Sequence, residues 1–260
     1  MMPLREDVVI VPSNHRGWLL PHSRHVHHVL SELAMSPQKP ASRPLRGLIV
    51  GISVVLLSKF FAVSEDAPPK KPDPFVDRVV AFEPGLGAGY GEKKLPDIVL
   101  GAPRGGGKLA PSNHVLSLGN GGRITLEFVD NEVVDGEGPD LLIFENPFLE
   151  KPGDDPSRGY FELAKVELSQ DGIEWHEIAY DRGTRKGCAG HHPVLANVED
   201  NEIDPTDPAK AGGDPFDLKE VGLKVVRFVR ITDLGNGAGE NGTSGFDLDA
   251  VAAVHSRPRL

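Results

Sequence analysis

Val115 to Phe128 reads VLSLGNGGRITLEF, two short alternating runs on either side of Asn120-Gly121-Gly122. Two-residue alternation places successive side chains on opposite faces of a strand. The Asn-Gly-Gly centre supplies the positive φ angles that a tight connection needs, so the stretch predicts a β-hairpin. Ile124, Leu126 and Phe128 are expected on one face and Arg123, Thr125 and Glu127 on the other, which predicts a strand covering a core on one side only.

Similar runs lie on both sides of it. Leu141 to Phe144 (LLIF) is continuously apolar and is expected to be buried on both faces. Lys165 to Ser169 alternates, with Val166 and Leu168 inward. Gln170-Asp171-Gly172 then turns the chain so that Ile173 and Trp175 return on the next strand. Val225 to Thr232 and Phe246 to Val254 complete the clear strands, and Asp77 to Phe82 and Asp97 to Leu100 are weaker ones. About eight strands with turn-rich connections predict an all-β fold, an antiparallel β-sandwich or jelly roll. With 30 Gly and 23 Pro in 260 residues, short elements joined by turns are favoured over long helices. No helical stripe exceeds about two turns, and no repeat of propeller or solenoid length is present. A single binding domain is expected over 75–254, with a short tail at 255–260.

Gly47 to Ser58 (GLIVGISVVLLS) follows Lys39, Arg43 and Arg46 and precedes Ala62-Val63-Ser64, the layout of a secretory signal. Lys59 ends the apolar run well short of the ~20 residues of a spanning helix, although an uncleaved anchor stays open. Residues 35–64 are therefore expected to be a signal peptide or signal anchor. Met35 makes a better start than Met1, because 1–34 would put Glu6, Asp7, Glu32 and five histidines ahead of the signal. Residues 1–34 are expected to be a non-native or mis-annotated extension, with His25, His27 and His28 a weak metal cluster. Glu65 to Pro74 (EDAPPKKPDP) reads as an extended, solvated linker.

Residues 1–64 hold 7 of the 28 basic and 3 of the 38 acidic side chains, so the rest of the chain carries a net charge of −14. Such a charge repels nucleic acid and anionic membranes, and it offers many oxygens to a hard cation. The one cysteine, Cys188, forms no internal disulfide.

Three acidic stretches are candidate calcium loops. The first, Asp130 to Asn146 (DNEVVDGEGPDLLIFEN), holds Asp130, Asp135, Asp140 and Glu145. The second, Asp204 to Leu218 (DPTDPAKAGGDPFDL), holds Asp204, Asp207, Asp214 and Asp217 among prolines and glycines. The third, Asp233 to Asp249 (DLGNGAGENGTSGFDLD), ends in Asp247 and Asp249, two apart and so on one face of a strand. Calcium takes six to eight oxygens from carboxylates and carbonyls. The first lacks EF-hand spacing; the alternatives are a solvated loop with Asx-turns for the first, a purely structural loop for the second, and the wet side of an edge strand for the third. Trp175, Asp233 and Asn236 are candidate ligand-binding residues, Trp175 by stacking on a sugar ring, although its alternating position more often points such a residue inward to a β core. Cys188 with His191 and His192 (CAGHH) resembles half of a zinc site or a thiol and imidazole pair, but only the local fragment is present, and a loop residue with packing duties is the preferred alternative. The glycine-rich runs at 85–91 and 101–107 lack the spacing of phosphate loops. The sequon at Asn241 matters only where the host glycosylates.

Two passages carry a family resemblance. VELSQDGIEWHEI (166–178) resembles the "V-x-x-S-x-D-G-x-x-W" strand-turn-strand of galactose-binding-like jelly rolls, the discoidin or coagulation-factor C-type modules. VRFVRITD (226–233) resembles their late "R-Y-V-R-I" strand. The series VLSLGNGGRITLEF, DGEGPDLLIFEN, AGGDPFDL and GFDLDAVAAV is similar to bacterial cell-surface proteins, over roughly residues 75–254. The resemblance implies a sandwich that recognises glycans, lipids or proteins through loops at one end, often beside a structural calcium. This chain lacks the terminal cysteine pair and has long acidic insertions, so no particular discoidin ligand carries over.

The expected protein is therefore an exported, calcium-stabilised binding or adhesion module of the cell surface or periplasm. It would recognise a glycan or other surface ligand, bind no nucleic acid, and touch the membrane only through an uncleaved N-terminal segment. A hydrolase using a carboxylate pair, or a purely structural envelope component, are the alternatives.

Overall fold

The computed structural model describes residues 9–10, 72–151, 158–235 and 245–259. The expected export segment, most of the linker, His25, His27, His28, Asn236 and the sequon lie outside the described residues. Sixteen short strands make up nearly all the regular structure: β1 Val9–Ile10, β2 Arg78–Glu83, β3 Leu116–Ser117, β4 Arg123–Glu127, β5 Asn131–Val134, β6 Leu141–Phe144, β7 Phe148–Leu149, β8 Gly159–Tyr160, β9 Ala164–Ser169, β10 His176–Glu177, β11 Asp214–Phe216, β12 Val225–Val226, β13 Phe228–Asp233, β14 Asp247–Leu248, β15 Ala250–Ala253 and β16 Ser256–Pro258. Among the described residues helix is confined to two single turns, at Glu92–Lys94 and Leu218–Val221.

The fold is an all-β sandwich, as the alternating runs predict. The front layer is one sheet in the order β1-β2-β4-β13-β9-β10, antiparallel except for the parallel edge pair of β1 with β2. The back layer consists of three small antiparallel sheets, β11-β6-β15, β12-β5-β16 and β14-β3. Phe82, Ile124, Leu126, Val166, Leu168, Val229 and Ile231 of the front layer meet Leu116, Val133, Leu141, Ile143, Leu248 and Val251 of the back in one core. Alternation along β6 sends Leu142 and Phe144 the other way, against Phe75, Val194, Ala196 and Ala211. All four residues of LLIF are thus buried, because residues 194–211 roof the outer side of the back layer. Burying each such side chain stabilises the fold by about 1.5–3 kcal/mol.

Several local expectations need correction. Residues 115–128 are not a hairpin: β3 pairs with β14 in the back layer, and β4 pairs with β2 and β13 in the front. Asn120-Gly121-Gly122 turns the chain between layers, because Leu118 and Asn120 bond the backbone of Gly85 and Leu86 instead of β4. A Cβ on Gly85 would collide with the backbone at Asn120 and Gly122, so that close approach requires glycine. Asp97 to Leu100 is a turn, not a strand. Ile173 and Trp175 precede β10 without joining it, and Ile173 is exposed. Finally, β4 is buried on both faces, since Arg78 and Arg227 clamp the carboxylate of Glu127 beneath them. The back layer also continues past residue 254, where β16 pairs with β5.

Candidate metal centre

Three carboxylates from different parts of the chain converge where the two layers meet. Glu145 follows β6, Glu162 precedes β9, and Asp247 opens β14; one oxygen from each lies within 4.8 Å of the other two. Their donors are neutral. Glu145 Oε1 accepts the backbone N–H of Asp247 at 3.3 Å, and Glu162 Oε1 accepts that of Gly245 at 3.1 Å. Asp247 accepts the Ser117 hydroxyl and, at 3.3 Å, the side-chain amide of Asn146. Glu145 Oε2 is buried with no hydrogen-bond partner, and among the described residues no Lys, Arg or His pairs with any of the three.

At an effective dielectric of about 20, two unit charges about 4.8 Å apart repel by roughly 3–4 kcal/mol. Three such pairs sum to about 10 kcal/mol, comparable to the net stability of a whole domain. Without a cation the site must hold protons. Burial pushes Glu145 well above the usual carboxylate range, and the charges of Asp247 and Glu162 add to it. Burial and the Asp247 charge push Glu162 up to about 8, and burial pushes Asp247 up to about 6. A hard divalent cation would satisfy the orphan oxygen and cancel the repulsion at once.

The other expected metal residues have different partners. Asp140 is fully buried, and its oxygens accept the backbone N–H groups of Gly136 and Leu218 and the His255 ring at 2.7–2.9 Å. Asp135 pairs with Lys224, and Asp217 caps the turn at Leu218–Val221 through the Lys219 N–H. Asp204 and Asp207 form exposed Asx-turns with the N–H groups of Thr206 and Ala209. Asp249 accepts the Arg104 N–H at 2.8 Å, and its other oxygen lies 3.6 Å from His114. The Asp130 N–H lies 3.4 Å from an Asp77 carboxylate oxygen at the entry to β5. Asp214 lies between His191 and His192.

Of the expected ligand-binding residues, Asp233 is buried and accepts the N–H groups of Gly121, Gly235 and Phe246 at 2.7–2.9 Å. Trp175 lies under the Arg230 guanidinium, 3.6 Å from its ring centroid, and donates its indole N–H to the Gly172 carbonyl. A polar cavity of about 630 Å³ sits beside that turn, lined by residues that include Gln170, Asp171, Glu174, His176 and Arg227. The carboxylate cluster and the cavity lie at opposite ends of β9, since Glu162 precedes Ala164 and Gln170 follows Ser169. A six-residue strand separates them by about 20 Å.

Sequence reasoning named Glu145 and Asp247 and missed Glu162. In FELA (161–164) it is a lone acid beside a strand, and only the pairing of β9 with β13 brings it near β14. Comparison with protein-family models and with curated proteins finds no match, so the centre rests on its own geometry.

Proposed function

We propose that this protein is an exported binding module of the cell surface or periplasm, with Glu145, Glu162 and Asp247 holding a calcium ion that ties its two layers together. The observation that carries this reading is the orphan oxygen of Glu145, buried among carboxylates that no cation among the described residues neutralises. All-oxygen donors suit a hard ion, and water can complete the six to eight ligands. The ion acts on stability and not on the ligand directly, because the polar cavity lies at the far end of β9.

A saccharide is the ligand class we propose for that cavity. Its volume and its mix of carboxylate, amide, imidazole and guanidinium groups suit a hydroxyl-rich molecule. The two passages that resemble galactose-binding-like modules form neighbouring strands β9 and β13, and the turn of the first lines the cavity. A hydrolytic role for the carboxylate cluster is disfavoured. Glu145 is buried, beyond a sugar's reach.

Thermal unfolding of the metal-stripped protein, with and without millimolar calcium, tests the reading. Extracellular calcium modules bind at about 10⁻⁴ to 10⁻³ M, and an ion at 100 times Kd adds about 2.7 kcal/mol. A rise in Tm of several degrees, reversed by chelator, is the expected result; identical melting curves would remove calcium from the account.

A further inference from the structure

His191 and His192 point their Nδ1 atoms at a single oxygen of Asp214, each at 2.8 Å. Their ring centroids are 4.1 Å apart. That oxygen can accept from both rings only if each carries its proton on Nδ1. His192 is aligned to supply a hydrogen bond, but His191 Nδ1 is buried and, despite its contact with Asp214, has no hydrogen-bond partner. Asp214 is itself 1% exposed. Its second oxygen, Oδ2, is held by the backbone N–H groups of Gly190 at 2.6 Å and His191 at 3.2 Å. The carboxylate is therefore oriented from behind, with Oδ1 presented to the two rings. Such backing by hydrogen bonds is how proteins fix metal-ligating carboxylates. Gly190, at φ +93°, makes the bend, and a Cβ there would collide with the Glu162 carbonyl oxygen.

We propose that His191, His192 and Asp214 form a second metal centre, for a zinc-class transition-metal ion, with a fourth coordination position open to the cavity beside them. Two imidazoles and a carboxylate suit zinc and its first-row neighbours and not calcium, which takes oxygen ligands. Bonds of about 2.0–2.1 Å at tetrahedral angles set donor atoms about 3.3 Å apart. Opening the present contacts by about half an ångström lies within the reach of His192, which is half-exposed. Three protein ligands leave one position for water or for a ligand atom. That position faces a cavity of about 370 Å³ that Lys108, Thr184 and Arg185 also line. A divalent ion with one carboxylate and two neutral imidazoles keeps one positive charge. Together with Lys108 and Arg185 it favours an anionic oxygen donor, in a protein that is otherwise strongly acidic. Cys188, buried nearby in sequence, is not among the converging donors.

The test uses the full chain without a polyhistidine tag, stripped of metal and titrated with Co²⁺ in saturating calcium. The expected result is one Co²⁺ per chain, with the intense visible absorption of four-coordinate cobalt, displaced by Zn²⁺. His192→Ala and His191→Ala, each checked for folding by its melting curve, are expected to lose that absorption. Glu162→Gln should keep it, which separates this centre from the calcium site. Absence of the four-coordinate band from the wild type, a weak six-coordinate spectrum, or a band that survives in both histidine variants would overturn the proposal.

Discussion

Asp135, Asp140 and Asp217 bring three carboxylate oxygens within 4.8 Å of one another, as Glu145, Glu162 and Asp247 do. The two clusters are alike in composition and opposite in chemistry. In the first, Lys224, His255 and the backbone N–H groups of Gly136, Leu218 and Lys219 meet the oxygens. In the second the donors are neutral and too few, and a buried oxygen has none. Acidic residues in proximity thus do not define a cation site. What defines it is the count of donors already facing the oxygens, because an unmet buried acceptor costs about 1–3 kcal/mol and more when charged.

The largest expected effect lies in the satisfied cluster. Asp140→Ala orphans the buried Leu218 N–H, the part-buried Gly136 N–H and the His255 ring, and should destabilise the protein by about 3–5 kcal/mol. The rise in midpoint on adding calcium should survive this substitution, because the proposed ion site lies in the other cluster. Loss of that rise in Asp140→Ala would make the first cluster the ion site and reverse the comparison.

An intermediate effect is expected from pH in the unsatisfied cluster. Carboxyls whose folded pKa is raised contribute stability that is present below their unfolded values and lost as pH rises through the folded ones. For Asp247 and Glu162 that window runs from about 4 to about 8. Melting temperature in chelator should therefore fall across it. Glu162→Gln should flatten the upper half of the fall, and saturating calcium should abolish it in the wild type. A wild-type profile in chelator that is level from pH 4 to 8 would mean that the three carboxyls are not coupled as the geometry implies.

The smallest effect is expected at Lys224, which is fully solvated and reaches Asp135 only at the surface. Lys224→Ala should leave the melting temperature within experimental scatter, as exposed pairs generally do. A clear drop would show that the first cluster depends on its surface cation as well as on its buried donors.

Strand content and layering were legible because a period of two is local. Val166 and Leu168 point inward, and LLIF is buried on both faces, as their patterns require. Partner choice was not local. The turn at Asn120-Gly121-Gly122 has hairpin chemistry, yet Gly85 and Leu86 capture the backbone beside it and send β4 into the other layer. Arg227 acts similarly, standing between β12 in the back layer and β13 in the front, so that Val225 to Thr232 is two strands in two sheets. Trp175, an inward strand residue by pattern, lies instead against Arg230 at a turn.

The amino-acid order alone determined which residues prefer extended backbone, which side faces inward, and that carboxylates would crowd the connections. Only the tertiary structure decided which carboxylates meet a partner. Charge is additive along a chain, but satisfaction of charge depends on donors brought from far away in sequence: Gly245 to Glu162, Leu218 to Asp140, and two histidines to Asp214.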